Sequence, residues 1–317
     1  MAPLRFANVS IDLDGIGCYH TIHRIDAPAD PLAIYTVALP RFLDLFDEIG
    51  CRATLFVIAS DTRHPEIADA LRQAHAAGHE VASHTYHHDY GLRHRGGAAI
   101  RDEIRLAGDA LEACVGARPV GFRTPGYNVD ATILRVLADE GYRYDSSVFP
   151  SPTYYAAKAA VMGAMALAGR PSGSSMTHPH ALRAPLQPYV PSRAAFGRSA
   201  RGTAALPLWE VPVGVTPGLR LPVIGTTVCA VPPAAMGGLY RWFEAGQPSL
   251  QVELHGIDLM DATDAAVTPA LAAKQPDVRR PWQQKRDSLA SMLRLMARER
   301  TMLTLRDAVA QMPAPVA

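Results

Sequence analysis

The stretch ATLFVIASDTRHPEIADALRQAHAAGHEVAS, from Ala53 to Ser83, decides the fold class. It opens on an apolar run at Ala53–Ala59 that reads as a strand. A helical segment follows from about Pro65 to Ala77, opened by proline and stopped by Gly78, and Glu80–Ser83 forms a second short strand. Strand, helix and strand in so short a span make a crossover unit, and crossovers join parallel neighbours. The alternation extends in both directions. Upstream lie a strand at Arg5–Asp12 and a helix at Phe42–Ile49, with Pro40 before it and Gly50 after it. Downstream come a helix from about Ala98 to Val115, a strand at Val120–Phe122, a helix from Asp130 to Glu140 ended by Gly141, and a strand at Tyr142–Asp145. This is an α/β chain with parallel strands, arranged either as an open doubly wound sheet or as a closed barrel.

After Pro150 the regularity breaks. Tyr154–Ala168 (YYAAKAAVMGAMALA) reads as an apolar helix, followed by a stretch dense in Pro, Ser, Gly and Arg. Together they make an insertion over about 151–205. The rule that apolar helical faces are buried places that helix in the core. A second reading puts an alanine and methionine surface beside a pocket, with Arg183, Arg193, Arg198 and Arg201 near an anionic head group or a membrane surface. Regular structure resumes with a strand at Leu208–Val213, a helix near Ala234–Glu244, a strand at Leu250–Leu254, a helix from about Trp282 to Glu299 and a strand at Met302–Leu305. No repeat or low-complexity linker divides the 317 residues, so one domain over 1–317 is expected.

Composition narrows the function. Apolar residues make up 48% and charged residues 19%, enough for a sizeable core. The net charge of +1 leaves no electrostatic footprint for a phosphate backbone, which argues against a nucleic-acid partner. Cys18, Cys51, Cys114 and Cys229 lie far apart, as reduced thiols do. The first residues, MAPLRFANVSIDLDG, lack the pattern of a secretory signal, so a cytoplasmic location is expected. Leu221–Tyr240 carries no charge but is interrupted by prolines and glycines, and it reads as strand and loop with no membrane span.

Six of the twelve histidines, His75, His79, His84, His87, His88 and His94, crowd into twenty positions. In SHTYHHD the spacing of His84 and His88 puts two imidazoles on one side of a helical turn or tight loop, within reach of one ion. Asp12 and Asp14, in SIDLDG, share a strand face by alternation. Asp12 sits in an apolar strand, where an unpaired charge costs several kcal/mol, so it requires a cation nearby. One carboxylate with two histidines leaves open positions, as catalytic metal sites do. His20 and His23 form another such pair, read as loop residues at the rim.

Four further segments complete the pattern: Gly121-Phe-Arg123-Thr-Pro125-Gly-Tyr127, Tyr144-Asp145-Ser-Ser-Val-Phe149, Glu253-Leu-His255-Gly-Ile-Asp258, and the insert. With the aspartates and histidines they resemble the polysaccharide deacetylase family, the NodB-homology proteins also called carbohydrate esterase family four, from about residue 5 to about 310. The resemblance implies a deformed (β/α)7-type barrel and a divalent metal ion, with zinc, cobalt, manganese, nickel or iron open to it. It implies Asp12 as general base, Asp14, His84 and His88 as metal ligands, and His87 as a bystander. Arg123 resembles the arginine holding the base. Pro125, Gly126 and Tyr127 resemble the turn that supplies an oxyanion-binding amide. Asp145 resembles the aspartate orienting the acid, and His255 the acid itself. The family's adjacent aspartates are here split by Leu13, a form similar to the branch of lipid-linked aminoarabinose deformylases and relatives acting on small cyclic amides. The expected activity is metal-dependent removal of an N-acetyl or N-formyl group from an amino sugar or its lipid-linked form. Hydrolysis of a small cyclic amide or ureide is the enzymatic alternative, and a catalytically silent carbohydrate-binding barrel the alternative of another class.

Overall fold

A computed structural model describes residues 5–28, 30–167, 169 and 176–315. Strands β1 (Phe6–Asp12), β2 (Thr54–Val57), β3 (Glu80–Ser83), β4 (Gly121–Phe122), β5 (Tyr144–Asp145), β6 (Trp209–Glu210) and β7 (Ser249–His255) form one sheet in the order β6-β5-β4-β3-β2-β1-β7, every pair parallel. β8 (Thr301–Met302) lies beside the start of β1. The sheet curls into the deformed barrel expected from the sequence. Where β6 and β7 leave a gap, the irregular segment 211–224 fills it: Val213 N–H donates to Val148 O, and Ile224 bridges to Glu253. Gly214 allows this closure, because a Cβ there would lie 1.9 Å from the Gln251 carbonyl oxygen.

Alternation sorts the central strands into two faces. Ala7, Val9 and Ile11 of β1, with Leu13 just past its end, pack outward with Leu250, Val252 and Leu254 of β7 against the helices. These are chiefly α2 (Leu39–Ile49), α8 (Pro233–Glu244) and α10 (Trp282–Glu299). The other face of both strands is polar, with Asn8, Ser10 and Asp12 on β1 and Gln251 and Glu253 on β7, all buried. At the N-terminal ends of the strands the floor is closed by α11 (Leu305–Ala310): Leu305 N–H donates to Thr54 Oγ1 and Arg306 N–H to Glu80 Oε2. The opposite ends, where Asp12, Arg123 and His255 fall, are left for chemistry.

Several elements differ from expectation. β4, β5 and β6 are two-residue strands, because a strongly curled sheet keeps only short stretches in register. His20 and His23 belong to a helix, α1 (Ile16–His23), not to a loop. Leu221–Tyr240 contains α7 (Gly225–Ala230) and the start of α8, in place of strand and loop, and no helix among the described residues is long and apolar enough to cross a membrane. The insert also departs from the core reading. Its helix α6 (Pro152–Leu167) buries only Tyr155 and leaves Val161 and Leu167 exposed. Its end at Ala168 and part of the loop, 170–175, fall outside the described residues. The later half of the insert does pack inward: Ala181, Ala184, Tyr189 and Phe196, with Leu206 and Leu208 just after it, join Ile100, Ile104, Ile133 and Leu137 of α4 (Gly97–Val115) and α5 (Ala131–Asp139).

His79 gives the fold a measurable pH dependence. Its Nδ1 accepts the Ala53 N–H at 3.1 Å, its ring lies against Phe46, and burial pushes its pKa from 6.5 down to about 4. The unfolded chain therefore takes up this proton first as acid is added. Its share of stability is whole above pH 6.5 and is lost as the pH falls toward 4. In His79→Asn, whose amide oxygen still accepts that N–H, urea unfolding at pH 7 and pH 5 should show a smaller loss on acidification than the wild type. An equal loss would remove His79 from the account.

Candidate active site

Arg123 organises the site from the end of β4. It is fully buried. Nη1 donates to Asp12 Oδ1 at 2.5 Å, Nη2 to Ser10 Oγ and Ser146 Oγ at 3.1 and 2.9 Å, and Nε to the Ser146 carbonyl at 2.8 Å. The guanidinium carbon lies 4.0 Å from the centre of the Phe56 ring. A planar fork used in this way has little freedom to move, and it fixes one oxygen of Asp12. The other, Oδ2, is 3.8 Å from His84 Nε2.

His84 and His88 lie on a tight loop after β3, not on a helix. Thr85 and His88 have positive φ, 67° and 56°. Ala59 N–H to Thr85 O, Ser60 N–H to Tyr86 O and His88 N–H to Thr85 Oγ1 hold the loop, and Glu103 Oε1 accepts from the amides of Tyr86 and His87. His87 turns away from the cluster to Glu103, its Nδ1 2.8 Å from Oε2. His84 Nδ1 faces the Arg123 carbonyl at 2.8 Å, so the proton sits there and the Nε2 lone pair points inward.

Asp14 Oδ1 lies 3.2 Å from His84 Nε2 and 3.0 Å from His88 Nε2. Both Asp14 Oδ1 and His88 Nε2 are buried with no hydrogen-bond partner. Although burial opposes it, the neighbouring His88 and His84 hold the Asp14 carboxyl well below its usual range. Against the same burial, Asp14 raises His88 to about 9, and Asp12 and Asp14 raise His84. Two nitrogens and one oxygen turned toward one another, two of them orphaned, suit a divalent cation. Cation binding has to displace protons from this set.

His255 ends β7, its side chain 27% exposed and so open to a ligand. The structure does not join it to Asp145: no hydrogen bond or ion pair links the two. Asp145 accepts instead from Ser147 Oγ at 2.6 Å and Ser147 N–H at 3.2 Å, and burial pushes both Asp145 and the neighbouring Glu210 upward. The carboxylate that reaches His255 is Glu253, Oε1 lying 3.1 Å from Nδ1. The sequence reading gave Glu253 no role, yet alternation puts residues 253 and 255 on one strand face just as it does Asp12 and Asp14. Burial works to lower the His255 pKa, but Glu253, Asp12, Asp14 and Asp258 outweigh it and raise the group to about 9. Asp258 caps the next turn, its Oδ2 accepting the His255 N–H at 2.8 Å.

Pro125, Gly126 and Tyr127 form a one-turn 3-10 segment beside this cluster. Gly126 (φ 62°) and Tyr127 (φ 61°) are both left-handed, which explains the glycine at 126. The Tyr127 amide is committed to the Thr124 carbonyl at 3.2 Å. Its phenol is buried without a hydrogen-bond partner, and burial together with Glu253 and Asp12 keeps it protonated, well above its usual pKa. A cavity of about 390 Å³ opens beside His88, lined by Gly17, Cys18, Asp61, His64 and Tyr90 among others. His20 and His23 are not part of the cluster: the first binds the Asp26 carbonyl through Nδ1, and the second lies 3.0 Å from Gln275 Oε1.

Residues 30–144 match the family model described as polysaccharide deacetylase, a stretch that holds His84, His88, Arg123 and the 125–127 turn. The chain is 35% identical over 104 residues to a "probable peptidoglycan-N-acetylglucosamine deacetylase" of Arthroderma benhamiae, and 30% identical over 103 residues to a chitin deacetylase of the same fungus. Each alignment covers 32% of this chain and 24% or 27% of the relative, so the chain spans about a quarter of the length of the curated relatives it matches. Among solved structures, the "putative polysaccharide deacetylase" from Mycobacterium smegmatis superposes with a TM-score of 0.56 at 18% identity, over 100% of this chain and 96% of that one. A family four pseudoenzyme from Bacillus anthracis does so with a TM-score of 0.50 at 11% identity, over 98% of this chain and 66% of that one. At these identities the two structures speak for the fold alone.

Equilibrium dialysis against zinc or cobalt should find one tight site in the wild type. In His84→Ala and His88→Ala the affinity should fall by more than about 100-fold, beyond the loss of a merely supporting residue. Asp12→Asn, which keeps an acceptor for Arg123, should bind the cation as the wild type does. Retained affinity in both histidine variants would rule the triad out.

Proposed function

Since the chain carries a polysaccharide deacetylase domain of the NodB-homology kind, we propose that it is a metal-dependent hydrolase that removes the N-acetyl group from an amino sugar of a polysaccharide. The observation that carries this reading is the convergence of Asp14, His84 and His88 beside an Asp12 locked by Arg123, with His255 within reach. A divalent cation held by Asp14, His84 and His88 would polarise the acyl oxygen and lower the pKa of a bound water from 15.7 toward about 7.

The residues of the chain supply the rest. Asp12, one oxygen pinned by Arg123 and the other facing the triad, accepts the proton of the attacking water. His255, held charged at neutral pH by the surrounding carboxylates, returns a proton to the departing amine and so prevents the tetrahedral intermediate from simply reversing. The protonated Tyr127 phenol, unpartnered and near Asp12 and Glu253, would donate to charge developing on the acyl oxygen. Buried polar groups that are already oriented need no rearrangement as that charge develops.

Acetyl is taken over formyl, and a polymer over a lipid-linked sugar, because the curated relatives are named for peptidoglycan N-acetylglucosamine and for chitin. The Asp12-Leu13-Asp14 spacing favours a second reading, opening of a small cyclic amide or ureide, at the same site. The intact set of acid, base and triad argues against a silent binding barrel.

Acetate release from N-acetylglucosamine oligomers separates these readings. The expected result is acetate and a free amine in equal amounts, abolished by a chelator and restored by zinc or cobalt. Asp12→Asn and His255→Ala should lower kcat by about 10² to 10⁴ while keeping the cation. Because His255 must carry its proton, the rate should fall as the pH rises through about 9. Ring opening of a cyclic amide without acetate release would select the second reading, and bound metal without any turnover would select the binding barrel.

A further inference from the structure

We propose that Glu253 is the positioning residue for the general acid His255, in the place that the family resemblance gives to Asp145. The proposal rests on the hydrolase reading above for the role of His255. The pairing itself rests on geometry. Glu253 and His255 flank Leu254 on β7 and project from the same strand face, with Oε1 3.1 Å from Nδ1. Glu253 is completely buried, and its oxygens accept no hydrogen bond from any described group. A buried carboxylate with no other partner demands a counter-charge, and the imidazolium at 3.1 Å provides it.

Asp145 is unsuited to this task. Ser147 takes up both of its oxygens, and Glu210 crowds it from the neighbouring strand.

The consequence is a fixed proton arrangement. An anion at Nδ1 keeps a proton on that nitrogen, which leaves Nε2–H as the proton that can be given away. The His255 side chain also accepts the Asp258 N–H from the following turn, so two groups compete for this ring: the Glu253 carboxylate favours its charged form and the Asp258 amide its neutral one. The charged groups around His255 are Glu253 on its own strand, Asp12 and Asp14 from β1 and Asp258 from the turn, and Arg123 lies near Glu253.

The test compares Glu253→Gln, Glu253→Asp and Asp145→Asn with the wild type on two substrates. One is an N-acetylglucosamine oligomer, whose amine must be protonated to leave. The other is an activated aryl acetate, whose phenolate leaves without a proton. Glu253→Gln should lose about 10²-fold in kcat on the oligomer with KM unchanged, its alkaline limb should move to lower pH, and its rate on the aryl ester should stay near wild type. Glu253→Asp should recover part of the loss, and Asp145→Asn should leave the alkaline limb in place. The proposal is overturned by equal losses on both substrates, by an unmoved alkaline limb in Glu253→Gln, or by a moved one in Asp145→Asn.

An NMR titration of His255 tests the pairing without turnover. The ring should titrate at lower pH in Glu253→Gln than in the wild type, and an unchanged midpoint would overturn the pairing. A wild type that shifts as expected but releases no acetate would refute the hydrolase reading alone.

Discussion

The buried ion pair between Arg123 and Asp12 is the interaction on which the rest of the site depends. Its two charges come from β1 and from the end of β4, and neither is exposed. Removing either partner would leave the other charge unpaired in the interior, a loss of about 3–5 kcal/mol in comparable cases. The same arginine serves the triad through its backbone, because its carbonyl accepts a hydrogen bond from the His84 Nδ1–H and so turns Nε2 toward Asp14. The proposed base and a proposed metal ligand are thus oriented by one residue. Movement of the β4 end would disturb both at once, and this explains why a two-residue strand is braced by Ser10, Ser146 and the face of Phe56.

A barrel with a polar inner face has to satisfy that face, and this one does so unevenly. At the floor, Glu80 is fully engaged by Thr54, Tyr144 and the Arg306 amide. At the C-terminal ends of the strands, Asp14, His88, Glu253 and Tyr127 all keep buried atoms without hydrogen bonds. Asn8 and Glu210 keep orphaned atoms elsewhere in the barrel, but at these strand ends orphaned carboxylate and imidazole atoms face one another, the arrangement that a bound ligand would complete.

Much of this was legible in the sequence, for definable reasons. The Ala53–Ser83 unit fixed parallel pairing, because a strand, a helix and a strand between a proline and a glycine have few other arrangements. Alternation alone put Asp12 and Asp14 on one face. The same rule, applied to Glu253-Leu-His255, would have found Glu253, but the resemblance had already supplied Asp145 as the partner. That residue is held by Ser147, an interaction two positions along the chain that strand periodicity does not reveal. The left-handed residues at 85, 88 and 127 were also hidden, since none of them is glycine. Helix α6 was misplaced because its composition is that of a core helix, whereas burial is decided by what lies opposite: Tyr155 is buried and Tyr154 packs on Phe149 and Tyr127, while Val161 and Leu167 stay exposed.

Anomalous diffraction from crystals loaded with zinc or cobalt would locate the ion in the barrel mouth. One peak is expected, bound by Asp14, His84 Nε2 and His88 Nε2, with Asp12 still on Arg123 and outside the coordination sphere. A peak held instead by Asp12, Glu253 and His255, the other group of potential ligands among the described residues, or no peak at saturating metal, would contradict it.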